Sequence, residues 1–135
     1  MFKIMLVEDN GIFRESLKSS LQLKFPSMEI AEAADEAEAL GKIDSLSPDL
    51  IFMDIRLPRG NGLELTEKIK KLHPDISIII LTSYDIPEYR EAAARFKADY
   101  FFSKDSMTNE KVNSLVKSIL SKKGFNGDGS ETNLA

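Results

Sequence analysis

Residues 76–82 read Ile-Ser-Ile-Ile-Ile-Leu-Thr (ISIIILT), and this short run decides the fold class. Ile76 to Leu81 is nearly all apolar and rich in β-branched residues, with no polar alternation. A strand with one solvated face would alternate, so this one is read as covered on both faces by helices, the situation of an interior strand in a parallel sheet. Thr82 closes the run as its first polar side chain after Ser77. Working outward, the same strand-then-helix unit recurs. Phe2 to Val7 is an apolar run, and Asn10 to Phe25 places Phe13, Leu17 and Leu21 four apart on one helix face. Met28 to Ala33 is a weaker second strand, and Asp35 caps a helix to about Leu46 whose expected buried stripe is Ala39, Leu40 and Ile43. Leu50 to Met53 is a third strand; Leu63, Leu65, Ile69 and Leu72 mark a helix that stops before Pro74. Beyond the opening strand, Glu88 to Phe96 is the fourth helix and Ala98 to Phe102 the fifth strand. Val112, Leu115, Val116, Ile119 and Leu120 form the apolar face of the last helix.

Five alternating units make an α/β chain, (βα)₅, with right-handed crossovers and a doubly wound parallel sheet. The expected strand order is the flavodoxin-like 2-1-3-4-5, which sets the first strand beside the third and opens a crevice at their carboxyl ends. At 135 residues the chain is one domain long, with 42% hydrophobic and 30% charged residues, the balance of an ordinary globular protein. The expected boundaries are a domain over 1–123 and a flexible tail or linker stub over 124–135, where GFNGDGSETNLA has three glycines and no apolar period. No run approaches the roughly 20 apolar residues of a membrane span. No basic leader precedes Phe2, so a cytoplasmic location is expected. The absence of cysteine excludes disulfides, thiolate metal sites and cysteine nucleophiles, and a net charge of -4 argues against direct nucleic-acid binding.

Four polar positions sit just past the apolar strands: Glu8-Asp9, Asp54, Thr82 and, after Ser103, Lys104. The topology gathers strand ends at one edge, so these groups should converge. Three neighbouring carboxylates repel one another unless a cation neutralises them, and Mg²⁺ suits a site of few carboxylates that also accepts phosphate oxygens. An aspartate so placed can attack a phosphoryl donor, while a hydroxyl and an ammonium hold the phosphoryl oxygens. Taken singly, each residue has an ordinary reading: loop acids, a β-branched strand end, a solvated lysine. Their joint position at four strand ends is what points to a phosphate site.

With these residues the chain resembles the receiver domain of two-component response regulators (CheY-like) over about residues 1 to 122. The matching motifs are LVEDN around Glu8-Asp9, FMDIRLPRGNG around Asp54, LTSYD at Thr82 and FFSKD at Lys104. The resemblance implies that Asp54 accepts phosphate from a sensor histidine kinase or phosphotransfer protein. It also implies that Glu8, Asp9 and Asp54 hold Mg²⁺ with the backbone carbonyl of Arg56, and that Thr82 and Lys104 contact the phosphoryl group. Phe101 falls at the family's aromatic switch position, beside Thr82's switch role. Arg56 and Tyr84 fall where the family tunes hydrolysis; both are bulky, which implies slow self-dephosphorylation. Pro58 and Gly62 shape the loop after the third strand, and Gly62 is expected to open the third helix. The implied output surface is the fourth helix, fifth strand and fifth helix, serving an output domain or protein or a phosphorylation-linked homodimer.

One departure stands out. Asp105 follows Lys104 where many receivers have proline after a cis bond, and a cis bond before a non-proline residue costs about 2.5–4 kcal/mol, so the sequence leaves this geometry open. The Lys-Asp form resembles receivers of LuxR/NarL-type transcriptional regulators, yet these 135 residues contain no recognition helix. Other classes fit less well. A haloacid-dehalogenase-type phosphatase would need an acid where Arg56 stands. A pseudo-receiver would not need the complete set of phosphorylation residues, and a flavin module would not tolerate Glu8-Asp9-Asn10 at its phosphate loop. His73, before Pro74 at a helix end, is read as a surface residue.

Overall fold

The computed structural model describes residues 1–131. Its chain runs β1 (Lys3–Val7), α1 (Gly11–Lys24), β2 (Glu29–Ala33), α2 (Glu36–Leu46), β3 (Leu50–Met53), β4 (Arg56–Leu57), β5 (Gly60–Asn61), α3 (Gly62–Leu72), β6 (Ser77–Thr82), α4 (Pro87–Arg95), β7 (Tyr100–Ser103), a 3₁₀ turn (Lys104–Ser106) and α5 (Asn109–Lys122). The main sheet is parallel in the order β2-β1-β3-β6-β7, which is the expected 2-1-3-4-5 once β4 and β5 are set aside. Those two form a two-residue antiparallel hairpin after β3 that the sequence reading did not contain.

The opening strand behaves as its composition requires. Ile78 and Ile80 enter one core layer, with Met5, Val7, Ile51 and Met53 of the sheet and residues of α2, α3 and α4. Ile79 and Leu81 enter the other, with Ile4, Leu6, Leu50 and Phe52 and residues of α1 and α5. Burying each such side chain contributes about 1.5–3 kcal/mol, so a strand buried on both sides anchors both layers. The helices start where side chains cap them: Asn10, Asp35, Asn61 and Thr108 each accept backbone N–H bonds at the N-termini of α1, α2, α3 and α5.

Two expected core residues lie outside the core. Leu40 is 39% exposed and Leu72 is 72% exposed. In α2 the buried pair is Ala39 and Ile43, four apart, and Leu40 is turned about 100° from Ala39. In α3 the pair is Leu65 and Ile69; the next position in that series is His73, not Leu72.

The segment expected as a flexible tail makes defined contacts as far as residue 131. Phe125 packs edge-on against Phe2 with ring centroids 5.1 Å apart. The Phe2 N–H donates to the Gly129 carbonyl at 3.0 Å, and Phe125 bridges Glu131. Gly129 permits this turn because its φ is +89° and a Cβ there would stand 2.9 Å from Met28 Cγ. The sequence reading gave weight to the glycines and passed over Phe125, an aromatic ring that gains by covering another. The remainder of the expected tail, 132–135, lies outside the described residues.

Candidate functional site

Strand register assembles the site. Val7, Met53 and Ile80 lie side by side in β1, β3 and β6, so Glu8 and Asp54 are the next residues out of neighbouring strands. Thr82 pairs with Ser103 of β7, and Lys104 follows. Glu8, Asp54 and Thr82 are buried polar residues, whereas Asp9 is exposed. Lys104 reaches back across the edge: its Nζ lies 2.5 Å from Glu8 Oε1 and 3.4 Å from Asp54 Oδ2, and 4.4 Å from the centroid of the Phe13 ring.

Local bonds hold these groups. Asp54 Oδ1 accepts the Ile55 N–H at 2.8 Å and Glu8 Oε2 accepts the Asn10 N–H at 3.1 Å. Asn10 at the same time caps α1, which ties the acidic loop to a helix start. Thr82 Oγ1 accepts the Tyr84 N–H at 3.1 Å. The Lys104–Asp105 bond is trans, as no peptide bond is cis among the described residues. The Ser103 hydroxyl oxygen instead accepts the Asp105 N–H, opening the 3₁₀ turn.

Glu8, Asp9 and Asp54 each offer a carboxylate oxygen, all within 4.8 Å of one another. Two like charges at that separation repel by roughly 3 kcal/mol at an effective dielectric of ~20, and one ammonium cannot neutralise three carboxylates. Burial, and then the Asp54 carboxylate beside it, raise the Glu8 carboxyl above its ordinary range against the opposing pull of Lys104. A divalent cation bound by oxygen ligands would relieve this, and the donor set is the hard-oxygen kind Mg²⁺ takes.

The sign of the Glu8 shift gives a measurable result. Folded Glu8 keeps its proton to higher pH than unfolded Glu8, so the metal-free protein gains stability as pH falls from neutral through the raised folded value to the ordinary 4.5. The affinity for any divalent cation held by these oxygens should fall across the same window, because proton and cation would compete for one oxygen set. In calorimetric melting curves, Glu8→Gln should lose this component of the pH dependence; a variant whose metal-free curve tracks the native one through that window contradicts the assignment.

Sequence reasoning did not anticipate how the rim is built. Arg56, on β4, places its guanidinium 3.7 Å from the centroid of the Tyr84 ring, so the two bulky residues named for hydrolysis meet each other. Nor did it show why position 62 is glycine. A Cβ there would lie 1.9 Å from the carbonyl oxygen of Asp54. The run RGN at 59–61, a turn signature after Pro58, was the one available signal for the β4–β5 hairpin. His73 is partly exposed, 3.6 Å from Asp44 and apart from the site.

A parallel sheet of this order, with an acidic cluster at its carboxyl edge, defines a doubly wound α/β domain with its crevice between the first and third strands. The chain matches the family model for the response regulator receiver domain over residues 4–124, and it belongs to that family. It is a receiver domain of the two-component type. It is 35% identical over 131 residues to the transcriptional regulatory protein HptR of Staphylococcus aureus, spanning 94% of this chain and 51% of HptR. Its fold matches a CheY-like receiver domain protein from Methanospirillum hungatei with a TM-score of 0.84 at 29% identity, covering 91% of this chain and 96% of that one. It also matches a LuxR-family DNA-binding response regulator from Staphylococcus aureus with a TM-score of 0.80 at 25% identity, covering 88% and 98%. The chain spans between 36% and 51% of the length of the curated relatives it matches. Among the described residues no helix is long and apolar enough to cross a membrane.

Proposed function

We propose that this receiver is a Mg²⁺-dependent switch whose phosphoacceptor is Asp54. The observation that carries the reading is the pairing of half-buried Lys104 with the buried carboxylates of Glu8 and Asp54, with Asp9 completing a three-carboxylate cluster at the sheet's carboxyl edge. A carboxylate oxygen of Asp54 attacks the phosphorus of a phosphohistidine on a sensor kinase or phosphotransfer protein. The P–O bond forms as the P–N bond breaks, and the imidazole leaves and takes up a proton. Glu8, Asp9, Asp54 and the Arg56 carbonyl would hold Mg²⁺, which when bound offsets the charge gathering on the phosphoryl oxygens. Lys104 exchanges part of its pairing with Glu8 and Asp54 for a phosphoryl oxygen, and the Thr82 hydroxyl donates to another. The added charge at Asp54 draws Thr82 and Lys104 inward and biases Phe101 and the α4–β7–α5 face between two packings. That face addresses an output domain, an output protein or a second copy of the chain. HptR is a transcriptional regulator, which favours transcription as the output through a further domain, in the cytoplasm. The receiver itself contacts neither nucleic acid nor membrane.

Incubation with acetyl phosphate followed by intact-mass measurement tests this. One phosphoryl group should be gained with Mg²⁺ and none after chelation. An equal gain without the cation would remove the metal from the scheme.

The Arg56–Tyr84 stack supports slow self-dephosphorylation, because the paired groups narrow the path by which water reaches Asp54. Tyr84→Ala and Arg56→Ala should each shorten the phosphoryl lifetime about threefold or more. The pair is one unit, so the double variant should lose little beyond either single one. A lifetime in the native protein no longer than in the variants would end this assignment.

A further inference from the structure

Arg90, on α4, touches two further elements at once, the loop after β6 and the strand β7. Its Nε and Nη2 donate to Asp85 Oδ1 and Oδ2 at 2.6 and 2.9 Å, a bidentate pair that ties α4 to the loop between β6 and α4. Its guanidinium carbon also lies 4.7 Å from the centroid of the Phe101 ring on β7. The ion pair is exposed, so its Coulomb energy is small. What it supplies is geometry: two parallel N–H···O bonds fix the plane of the guanidinium, and a guanidinium held at a ring stays there more of the time than a free one. Phe101 is half-buried, packed against the core layer that contains Ile80, its partner across the sheet. Arg90 covers part of the ring that the core leaves open.

The loop that carries Asp85 starts at the site. Thr82 ends β6 and accepts the Tyr84 N–H, and Asp85 is the next residue. A shift of Thr82 therefore carries Asp85 with it, and the fork cannot follow without leaving the ring. We propose that Arg90 is a positioning residue of the switch: held by Asp85, it keeps Phe101 in its half-buried setting until the Thr82–Asp85 loop moves. This rests on the phosphoryl-switch reading above. The pair sits outside the carboxylate cluster and touches none of its members, so it acts only through Phe101.

Protein labelled with 4-fluorophenylalanine tests the latch by fluorine NMR, the Phe101 signal being identified by its loss in Phe101→Leu. Without phosphate, Arg90→Gln and Asp85→Asn should each move the Phe101 signal, and in the direction it takes when the native protein is phosphorylated with acetyl phosphate and Mg²⁺. The double variant should move it no further than either single one, since both changes break one unit. Arg90→Lys keeps the charge but loses the fork, and should behave as Arg90→Gln does. Melting temperatures should stay near the native value, which separates loss of the latch from loss of the fold. An unmoved Phe101 signal in folded Arg90→Gln, or shifts that simply add in the double variant, overturns the latch. Intact mass separates the two levels. Phosphate gained on the native protein with Phe101 unmoved overturns the latch alone, whereas no gain at all overturns the switch reading and the latch's role with it.

Discussion

Asp54→Asn should take up no phosphate from acetyl phosphate and Mg²⁺ under conditions in which the native chain is expected to gain one group. The reason lies in what the amide lacks. A carboxamide oxygen is a poor nucleophile, and no other carboxylate stands where Asp54 does: Asp9 is exposed, and Glu8 is held by the Asn10 N–H and Lys104. Removing an essential nucleophile from an active site costs several orders of magnitude in rate. The same substitution removes one of three mutually repelling charges. The metal-free variant should therefore melt somewhat above the native protein, while the stabilisation that Mg²⁺ confers on the native protein shrinks. Those two shifts, seen together with the loss of phosphate, separate a lost acceptor from a lost fold. A variant that still gains one phosphate places the acceptor elsewhere.

Gly62→Ala should be the most destabilising small substitution in the domain. A Cβ at 62 would lie 1.9 Å from the Asp54 carbonyl oxygen and 3.0 Å from Ile55 Cα, and backbone on both sides leaves nothing flexible to yield. The Gly62 N–H also donates to the Ile55 carbonyl at 2.7 Å, so moving the helix start breaks that bond as well. Overpacking of this kind costs about 3 kcal/mol. For a domain of this size that corresponds to a fall of roughly 12 °C in melting temperature. Gly41→Ala is the matched control. It lies inside α2, nothing stands within 4 Å of its added methyl, and alanine there should stabilise by about 0.5–1 kcal/mol. Equal melting temperatures for the two variants would contradict the steric account. Because the clash falls on the Asp54 backbone, Gly62→Ala should also slow phosphate uptake in whatever fraction remains folded.

How far the site could be read in advance differs residue by residue. That Glu8, Asp9, Asp54, Thr82 and Lys104 converge was legible because each stands within two residues of the end of an apolar run, and parallel topology brings all strand ends to one edge. The helix stripes were legible where apolar residues sat four apart, as at Leu17 and Leu21. They misled at Leu40 and Leu72, where hydrophobicity alone was taken for facing. Phe125 was hidden among glycines and polar residues, with no period to mark it.

The sequence by itself determined the alternation of elements, the parallel sheet and the chemical character of its carboxyl edge, because these follow from local periodicity and from the rules by which βα units connect; the order 2-1-3-4-5 was one choice among doubly wound orders, which the structure bears out. Only the tertiary structure decided which charges share a proton-withdrawing or proton-holding neighbour. It alone paired Lys104 with Glu8 as well as Asp54, stacked Arg56 on Tyr84, and set Arg90 against Phe101. Those contacts join residues far apart in the chain at distances of a few ångströms, and their energies depend on separation and burial, which no spacing along the sequence encodes.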